Sequence, residues 1–373
     1  MKRQAARLRA AARGLSLIEL LVALAIGSVL IVGAIYVYSR GRTTYAVNES
    51  IARVQENGRY VLSVLEPDIE LAGYYGFTNS PDTLRFVSGA SPGTVYAIAA
   101  QMRQQPPAPA VAVPVANLPA GAHECGTNFA VDVLTPVQGS NNDFALGPGA
   151  GGGCDPYGAG AMPGADTLTI RRVETATTAP EAGRLQVYGS RLRSRSAQQL
   201  FVDGNAPGPV DDDNAVHNLV VRAYYIARDA VDRPGLPSLR SKSLTTVGGA
   251  TQFVEAEIMP GVEDFQVQFG IDTGDYDNDG AIDPGADVNG DGIPETDGRA
   301  TRYVNPDFPG LDLAQVVAVR LWIRVRADQP EPGFRDDRTY RYADVEYTPD
   351  DDEARFRRVL MSRTISLRNS RTL

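Results

Sequence analysis

Gly14-Leu15-Ser16-Leu17-Ile18-Glu19-Leu20 opens a stretch in which Glu19 is the only charged residue as far as Tyr38. As a helix with a rise of about 1.5 Å per residue, residues 15–38 would be roughly 36 Å long, enough to cross the hydrocarbon core of a bilayer. The stretch therefore predicts one N-terminal membrane-spanning helix. Five basic residues before it would hold the N-terminus on the cytoplasmic side: Lys2, Arg3, Arg7, Arg9 and Arg13.

A basic segment followed by an apolar one also occurs in cleaved signal peptides and in plain membrane anchors. The apolar run is long for a signal peptide, and no small-x-small cleavage site follows closely behind it. A plain anchor leaves Glu19 unexplained, because a carboxylate at this depth is costly unless it finds a partner. Glu19 is therefore a candidate functional residue.

The segment Gly14-Leu15-Ser16-Leu17-Ile18-Glu19 resembles the class III signal of type IV pilins and pseudopilins. The resemblance implies that a prepilin peptidase cleaves between Gly14 and Leu15 and methylates the new N-terminus at Leu15. It also implies that Glu19 meets the N-terminal amine of a neighbouring subunit during assembly. An opposite charge can satisfy a carboxylate in a medium of low dielectric constant. Leu15 departs from the commonest residue of the family at this position, which is Phe.

Behind the membrane segment, apolar residues recur at helical spacing and predict that the helix continues in water. They are Val47, Ile51, Val54, Val61 and Leu65. Pro67 is expected to end or kink this helix. The predicted organisation is a cleaved leader at 1–14, a membrane half of the helix at 15–38, a soluble half at 39–72 and a globular domain at 73–373.

Several segments in this soluble part resemble the PilW family of minor pilins. The resemblance implies other minor pilins, the major pilin and a large tip adhesin as partners. It spans both ends and most predicted strands, but not the loops near residues 100–160. The segments are Val54–Tyr60, Leu71–Tyr74, Asp166–Arg172, Gly261–Gly270 and Arg363–Asn369.

The pattern after residue 165 is typical of an antiparallel sheet, with β-branched and aromatic residues in short runs. A long helix followed by strands predicts an α+β domain of the pilin type with large loop insertions. Before residue 165 the chain is rich in Pro, Gly and Ala, and Phe129–Leu134 is the clearest strand prediction. The later predicted strands are Leu219–Ala227, Phe253–Met259, Val262–Ile271, Val319–Arg326, Arg338–Tyr347 and Arg355–Leu367.

The two cysteines, Cys125 and Cys154, lie in the part expected outside the inner membrane. In that compartment a disulfide is the default state, and here it would close the Gly-rich loop 125–154. Free thiols are the alternative. Metal ligation by two cysteines without a nearby histidine pair is disfavoured.

An acidic stretch at 272–298 has the spacing of calcium loops, with oxygen-bearing residues at alternate positions and Gly at the sixth. Such loops direct roughly six to eight oxygens at one Ca²⁺ ion. Ala286 stands where the bidentate Glu is expected, and Asp287 is shared with a second loop of the same phase. The predicted ligands for one or two calcium ions are Asp275, Asp277, Asp279, Ala281, Asp283, Asp287, Asn289, Asp291, Ile293 and Glu295. The alternative is a solvated acidic turn, since Asp, Asn and Gly are also ordinary turn residues.

Net charge and the absence of catalytic motifs argue against two classes of function, nucleic-acid binding and enzymatic activity. The net charge is −9, and removal of the five basic residues of the leader makes it −14, so nucleic acid is not an expected partner. The only histidines are His123 and His217, and the chain contains no HExxH, G-x-S-x-G or Walker motif. We therefore predict a protein that is not an enzyme.

Together these features predict a minor pilin that primes type IV pilus assembly at or near the pilus tip. It would support display of a tip adhesin, pilus dynamics, twitching and adhesion. The prepilin would lie in the inner membrane, and the assembled form in the periplasm and on the surface pilus. One alternative is a minor pseudopilin of a type II secretion system. Another is a membrane-anchored periplasmic calcium-binding protein that never polymerises.

Overall fold

The fold is described from a computed structural model for residues 16–77, 84–87, 95–97, 118–126, 128–147, 154–191, 199–274 and 298–369. The chain divides into two compact units between Ala52 and Arg53. Helix α1 is Leu17–Glu70. The strands are β1 Arg85–Val87, β2 Val95–Ala97, β3 Val137–Ser140, β4 Thr167–Val173, β5 Ala182–Ser190, β6 Gln199–Asp203, β7 Asn214–Ala227, β8 Ser238–Val247, β9 Ala250–Pro260, β10 Val262–Ile271, β11 Arg302–Val304, β12 Val316–Arg326, β13 Tyr340–Tyr342, β14 Val345–Tyr347 and β15 Arg358–Ser366.

Helix α1 is long and apolar enough in its first part to cross a membrane. It has 54 residues and includes Pro67, after which it continues to Glu70. The helix therefore does not end at Pro67, whereas the alternative of a kink there stays a prediction. The helix closes at Gly73, whose φ of 76° is the left-handed conformation that glycine adopts easily. The N–H of Gly73 donates to the Arg171 carbonyl on β4, so the chain leaves the helix directly onto the sheet.

The second unit, Arg53–Leu373, is called the soluble unit because it follows the predicted membrane segment. Its described strands form a nine-stranded sheet, a four-stranded sheet and a separate hairpin. The first sheet runs β2-β1-β6-β5-β7-β4-β3, and β8 and β9 extend it from β7. The second runs β11-β10-β12-β15 and is antiparallel throughout. Strands β13 and β14 pair only with each other. The predicted α+β class is confirmed.

Two hydrophobic cores share strands of the first sheet. Because side chains alternate along a strand, Tyr224 and Ile226 of β7 enter one core, and Val221 and Ala223 enter the other. The first core receives the apolar stripe of α1: Val54, Val61, Leu65 and Ile69, together with residues of β10 and β12. The second core contains both cysteines.

The end of α1 is fixed to the first sheet by one buried carboxylate. Asp68 is 4% exposed. Its Oδ1 accepts from Arg172 Nη2 at 2.6 Å, and its Oδ2 accepts from Arg222 Nη1 and from the Tyr224 hydroxyl, both at 2.5 Å. Burial raises the pKa of Tyr224, so this hydroxyl stays protonated and donates. Both carboxylate oxygens are thus satisfied by residues of β4 and β7.

Replacement of Asp68 tests this contact. Asp68→Ala leaves two partly buried guanidinium groups without their counter-charge, and loss of one partner of a buried pair costs about 3–5 kcal/mol. Glu66→Ala is the matched control, because it removes only a more exposed ion pair with Arg363, worth about 0–1 kcal/mol. Urea unfolding of the full chain in detergent measures both. Equal losses of stability in the two variants would contradict the role given to Asp68.

Candidate functional site

Glu19 lies in the first turn of α1, where it forms a capping box with Ser16. The Ser16 hydroxyl accepts from the Glu19 N–H at 3.2 Å. In return, Glu19 Oε2 accepts from the Ser16 N–H at 3.0 Å and from the Ser16 hydroxyl at 2.9 Å. This exchange satisfies backbone donors that a helix start leaves without partners. Gly14 and Leu15, the predicted processing residues, lie outside the described residues.

The helix behind Glu19 presents apolar side chains on its surface. Leu17 is 82% exposed, Leu24 69% and Val29 71%, and the same holds as far as Tyr38 at 68%. Exposed apolar area of this extent is stable only in lipid or against other apolar surfaces. The first unit therefore has the chemistry of a helix made for a bilayer and for packing with other helices.

The predicted calcium ligands all lie outside the described residues. Of the residues that are described, no group of three or more His, Cys, Asp or Glu side chains is arranged to hold a metal ion. The structure does define the two ends of the acidic segment, residues 271–274 and 298–302, which we call the neck. Strands β10 and β11 pair antiparallel up to Ile271 and Arg302, so the segment leaves and re-enters the sheet at adjacent positions.

The neck is held by buried polar contacts. Asp272 has no exposed surface, and its two carboxylate oxygens accept from the N–H of Gly274 at 3.2 Å and of Gly298 at 3.0 Å. The hydroxyls of Thr273 and Thr301 lie 3.0 Å apart. Asp272 therefore joins the two ends of the acidic segment across the hairpin.

Cys125 and Cys154 form the predicted disulfide, with their Cα atoms 5.2 Å apart. Both cysteines are buried in the second core. The crosslink ties a segment with little regular structure to the region before β4.

The sequence did not predict a buried polar cluster around β10 and β12. Arg324 on β12 is only 6% exposed. Glu263 Oε1 accepts from Arg324 Nε at 2.6 Å and from Arg358 Nε at 2.7 Å. Tyr342, from the β13–β14 hairpin, donates to Asp264. Arg338–Tyr347 was predicted as one strand of the main sheet, which is wrong. The segment turns at Ala343, whose φ is 48°, and forms the separate β13–β14 hairpin.

Asp166, at the start of β4, connects the two sheets. Its N–H donates to the Phe265 carbonyl at 2.9 Å, and its side chain accepts from the N–H groups of Val267 and Asn142, each at 2.7 Å. Burial raises the pKa of Asp166 to about 7. The nearby carboxylates of Asp264 and Asp344 add to this shift, while the two N–H donors oppose it.

This raised pKa predicts a pH dependence of stability. Between the ordinary value of 3.8 and about 7, the folded chain keeps a proton at Asp166 that the unfolded chain has lost. The contribution of Asp166 to stability therefore falls as pH rises through this window, by up to about 1.4 kcal/mol per pH unit. Asp166→Asn cannot titrate, so its curve of unfolding free energy against pH should fall less steeply than the wild-type curve.

Asp143→Asn is the matched control, because Asp143 is an exposed carboxylate close to the same contact. Its curve should run parallel to that of the wild type. Chemical denaturation at pH 4, 5, 6 and 7 supplies the comparison. Parallel curves for Asp166→Asn and the wild type would contradict the prediction.

Two protein-family models match the chain, one near its N-terminus and one over its C-terminal part. The model of the prokaryotic N-terminal methylation motif matches residues 9–35, and that of type IV pilus-assembly protein W, or PilW, matches residues 223–369. The C-terminal part of the chain is therefore similar to PilW, and the N-terminal segment carries the methylation motif. The PilW match includes Gly261–Gly270 and Arg363–Asn369, two of the segments in which the sequence resembles this family; Val54–Tyr60 and Asp166–Arg172 lie outside it. The methylation motif and the apolar helix indicate inner-membrane anchoring.

One solved structure matches this chain. The type IV-like pilin TTHA1219 from Thermus thermophilus is 12% identical, with 55% of this chain and 79% of that chain covered and a TM-score of 0.24. The search of curated proteins gives no match.

Proposed function

We propose that this chain is a PilW-type minor pilin that primes type IV pilus assembly and occupies a position at or near the pilus tip. There it supports display of a tip adhesin and, through the pilus, twitching and adhesion. Its partners are other minor pilins, the major pilin and, before assembly, the prepilin peptidase. The observation that carries the proposal is the start of α1, where a carboxylate precedes a long run of exposed apolar side chains.

The geometry at Glu19 supports pairing with a neighbouring subunit. Oε2 is engaged by Ser16, whereas Oε1 has no hydrogen-bond partner among the described residues. One oxygen can therefore keep the capping box while the other accepts from an N-terminal amine. Inside a helix bundle such an ion pair lies in a medium of low dielectric constant, where a missing partner is strongly unfavourable. This gives the carboxylate a role in selecting correctly placed subunits.

The proposal of a tip position rests on the soluble unit. That unit carries a nine-stranded sheet and a four-stranded sheet, and both contribute to the core that receives the apolar stripe of α1. A subunit with this bulk fits most easily where no further subunit has to stack above it. A type II secretion pseudopilin would share the N-terminal segment, but the PilW match favours a pilus. The non-polymerising anchor differs from both in predicting an uncut N-terminus.

Two substitutions of Glu19 separate its possible roles. Glu19→Gln keeps a capping residue at this position but loses the charge, whereas Glu19→Ala loses both. If pairing with an amine is the function, both variants should be cleaved and methylated normally, yet both should be lost from sheared pili by at least about tenfold, since 1.4 kcal/mol corresponds to a tenfold change. Glu56→Ala, on the exposed soluble part of α1, is the control and should assemble normally.

Mass spectrometry of the mature N-terminus accompanies this assay. A chain that begins at Leu15 with an added methyl group is expected in all variants. A retained leader starting at Met1 or Lys2 would overturn the assignment as a processed pilin. Normal incorporation of Glu19→Gln would contradict the pairing role and leave only helix capping.

We also propose that residues 275–297 bind one or two calcium ions. The spacing of the carboxylates supports this, and so does the neck at Asp272, because joined ends reduce the entropy lost when a loop closes around an ion. Unbound, the carboxylates would repel one another. Bound calcium would reduce this repulsion.

Isothermal calorimetry of the full chain in detergent tests calcium binding. We expect binding with a dissociation constant of about 0.1–1 mM, as in extracellular calcium modules. The double variant Asp277→Asn/Asp279→Asn should lose it, and Asp211→Asn/Asp212→Asn, in an acidic run without ligand spacing, should keep it. No heat at millimolar calcium in the wild type would remove calcium from the proposal.

A further inference from the structure

Strand β9 is an edge strand that a separate segment of the chain covers. It pairs with β8 and with no other strand among the described residues. An open edge of this kind can accept a strand from another chain, and natural proteins usually protect it. Its outer residues favour pairing, since Val254 is 40% exposed within a run of high β-propensity.

Charges on β9 do not supply this protection. Glu255 Oε1 lies 2.8 Å from Arg240 Nε, and its Oε2 lies 3.2 Å from Lys242 Nζ. Glu257 also pairs with Arg240, at 3.2 Å. Because these carboxylates are neutralised within one chain, they would repel the β9 strand of a second copy only weakly.

The cover is the segment 118–126, which contains a 3₁₀ turn at Ala120–His123. The turn lies so close to the edge that a β-carbon at Gly121 would stand 1.9 Å from the Thr251 carbonyl oxygen. Next to it, Glu124 Oε2 accepts from the Phe253 N–H at 2.7 Å. The carboxylate thus takes the place that the carbonyl of a partner strand would occupy.

The disulfide connects the C-terminal end of this cover to a second segment that also contacts the sheet. Cys125 follows Glu124 directly, and its bond to Cys154 places the cover beside Asp155. The Asp155 carbonyl accepts from Lys242 Nζ of β8 at 2.6 Å. The cover is therefore attached to the sheet twice: through the disulfide and Asp155 to β8, and through Glu124 to the N–H of Phe253 on β9. The ring of Phe129 packs edge-to-face on that of Phe253, with centroids 5.8 Å apart.

We propose that residues 118–126, held by the Cys125–Cys154 disulfide, block antiparallel pairing of β9 with β9 of a second copy of this chain. A second copy is the fitting occupant because an antiparallel pair of identical strands is self-complementary about a two-fold axis. Copies anchored in one membrane also meet at high local concentration. The cover keeps the edge closed while α1 remains available for assembly.

Hydrogen exchange of the full chain in detergent, read by mass spectrometry on the peptide that contains Phe253, tests the cover. Glu124→Ala should raise exchange of the Phe253 amide by about tenfold through loss of one hydrogen bond. Glu346→Ala, which removes an exposed ion pair with Arg341 on the β13–β14 hairpin, should leave it unchanged. Unchanged exchange in Glu124→Ala would overturn the contact as a cover.

The double variant Cys125→Ser/Cys154→Ser tests whether β9 of a second copy pairs with β9 once the cover is released. We expect fast exchange at Phe253 at low protein concentration, renewed protection at high concentration, and a concentration-dependent dimer by light scattering. Val254→Lys in the same background should abolish the dimer, because an edge charge opposes strand pairing. A double variant that stays monomeric with wild-type exchange, or a dimer that survives Val254→Lys, would overturn the proposal. If the double variant unfolds globally, the exchange in Glu124→Ala decides.

Discussion

The buried carboxylate of Asp68 is the contact on which the soluble unit depends. A helix needs no side-chain ion to form, but this helix must be fixed in register against a sheet whose strands come from distant parts of the chain. Asp68 does so with Arg172, Arg222 and the Tyr224 hydroxyl. The apolar stripe from Val54 to Ile69 supplies most of the burial, but apolar packing alone tolerates sliding and rotation. A buried carboxylate restricts that freedom, since every displaced position leaves charge unsatisfied.

The sequence predicted most accurately those elements whose pattern is local. Strand β10 was predicted at Val262–Ile271 and has these bounds; the predicted Val319–Arg326 lies within β12. Phe129–Leu134 was predicted as a strand and is wrong. Its alternating apolar residues enter the second core from a 3₁₀ turn at Phe129–Val131, after Asn128 has taken a φ of 57°. The turn depends on Arg171, whose guanidinium donates to the Phe129 carbonyl from β4.

Partners that are far apart in sequence explain most of what could not be predicted. Glu263 and Arg358 are separated by 95 residues, and Glu124 and Phe253 by 129. Nothing near Arg324 in the sequence indicates that a tyrosine hairpin will cover it. By contrast, the class III signal and the cysteine pair depend on short patterns or on residue type alone. For this reason the membrane helix and the disulfide could be predicted, whereas the polar cluster under β13 and β14 could not.

The neck at Asp272 also separates the length of the acidic insertion from the fold of the sheet. Because the segment leaves β10 and re-enters at β11 on adjacent positions, residues can be gained or lost beyond Gly274 without moving either strand. Doubling the length of a flexible loop costs only about 0.6 kcal/mol in closure entropy. The sheet can therefore tolerate changes in the length of this segment while its own pairing is retained. For the same reason, a reporter peptide inserted there would leave the pairing of β10 and β11 in place.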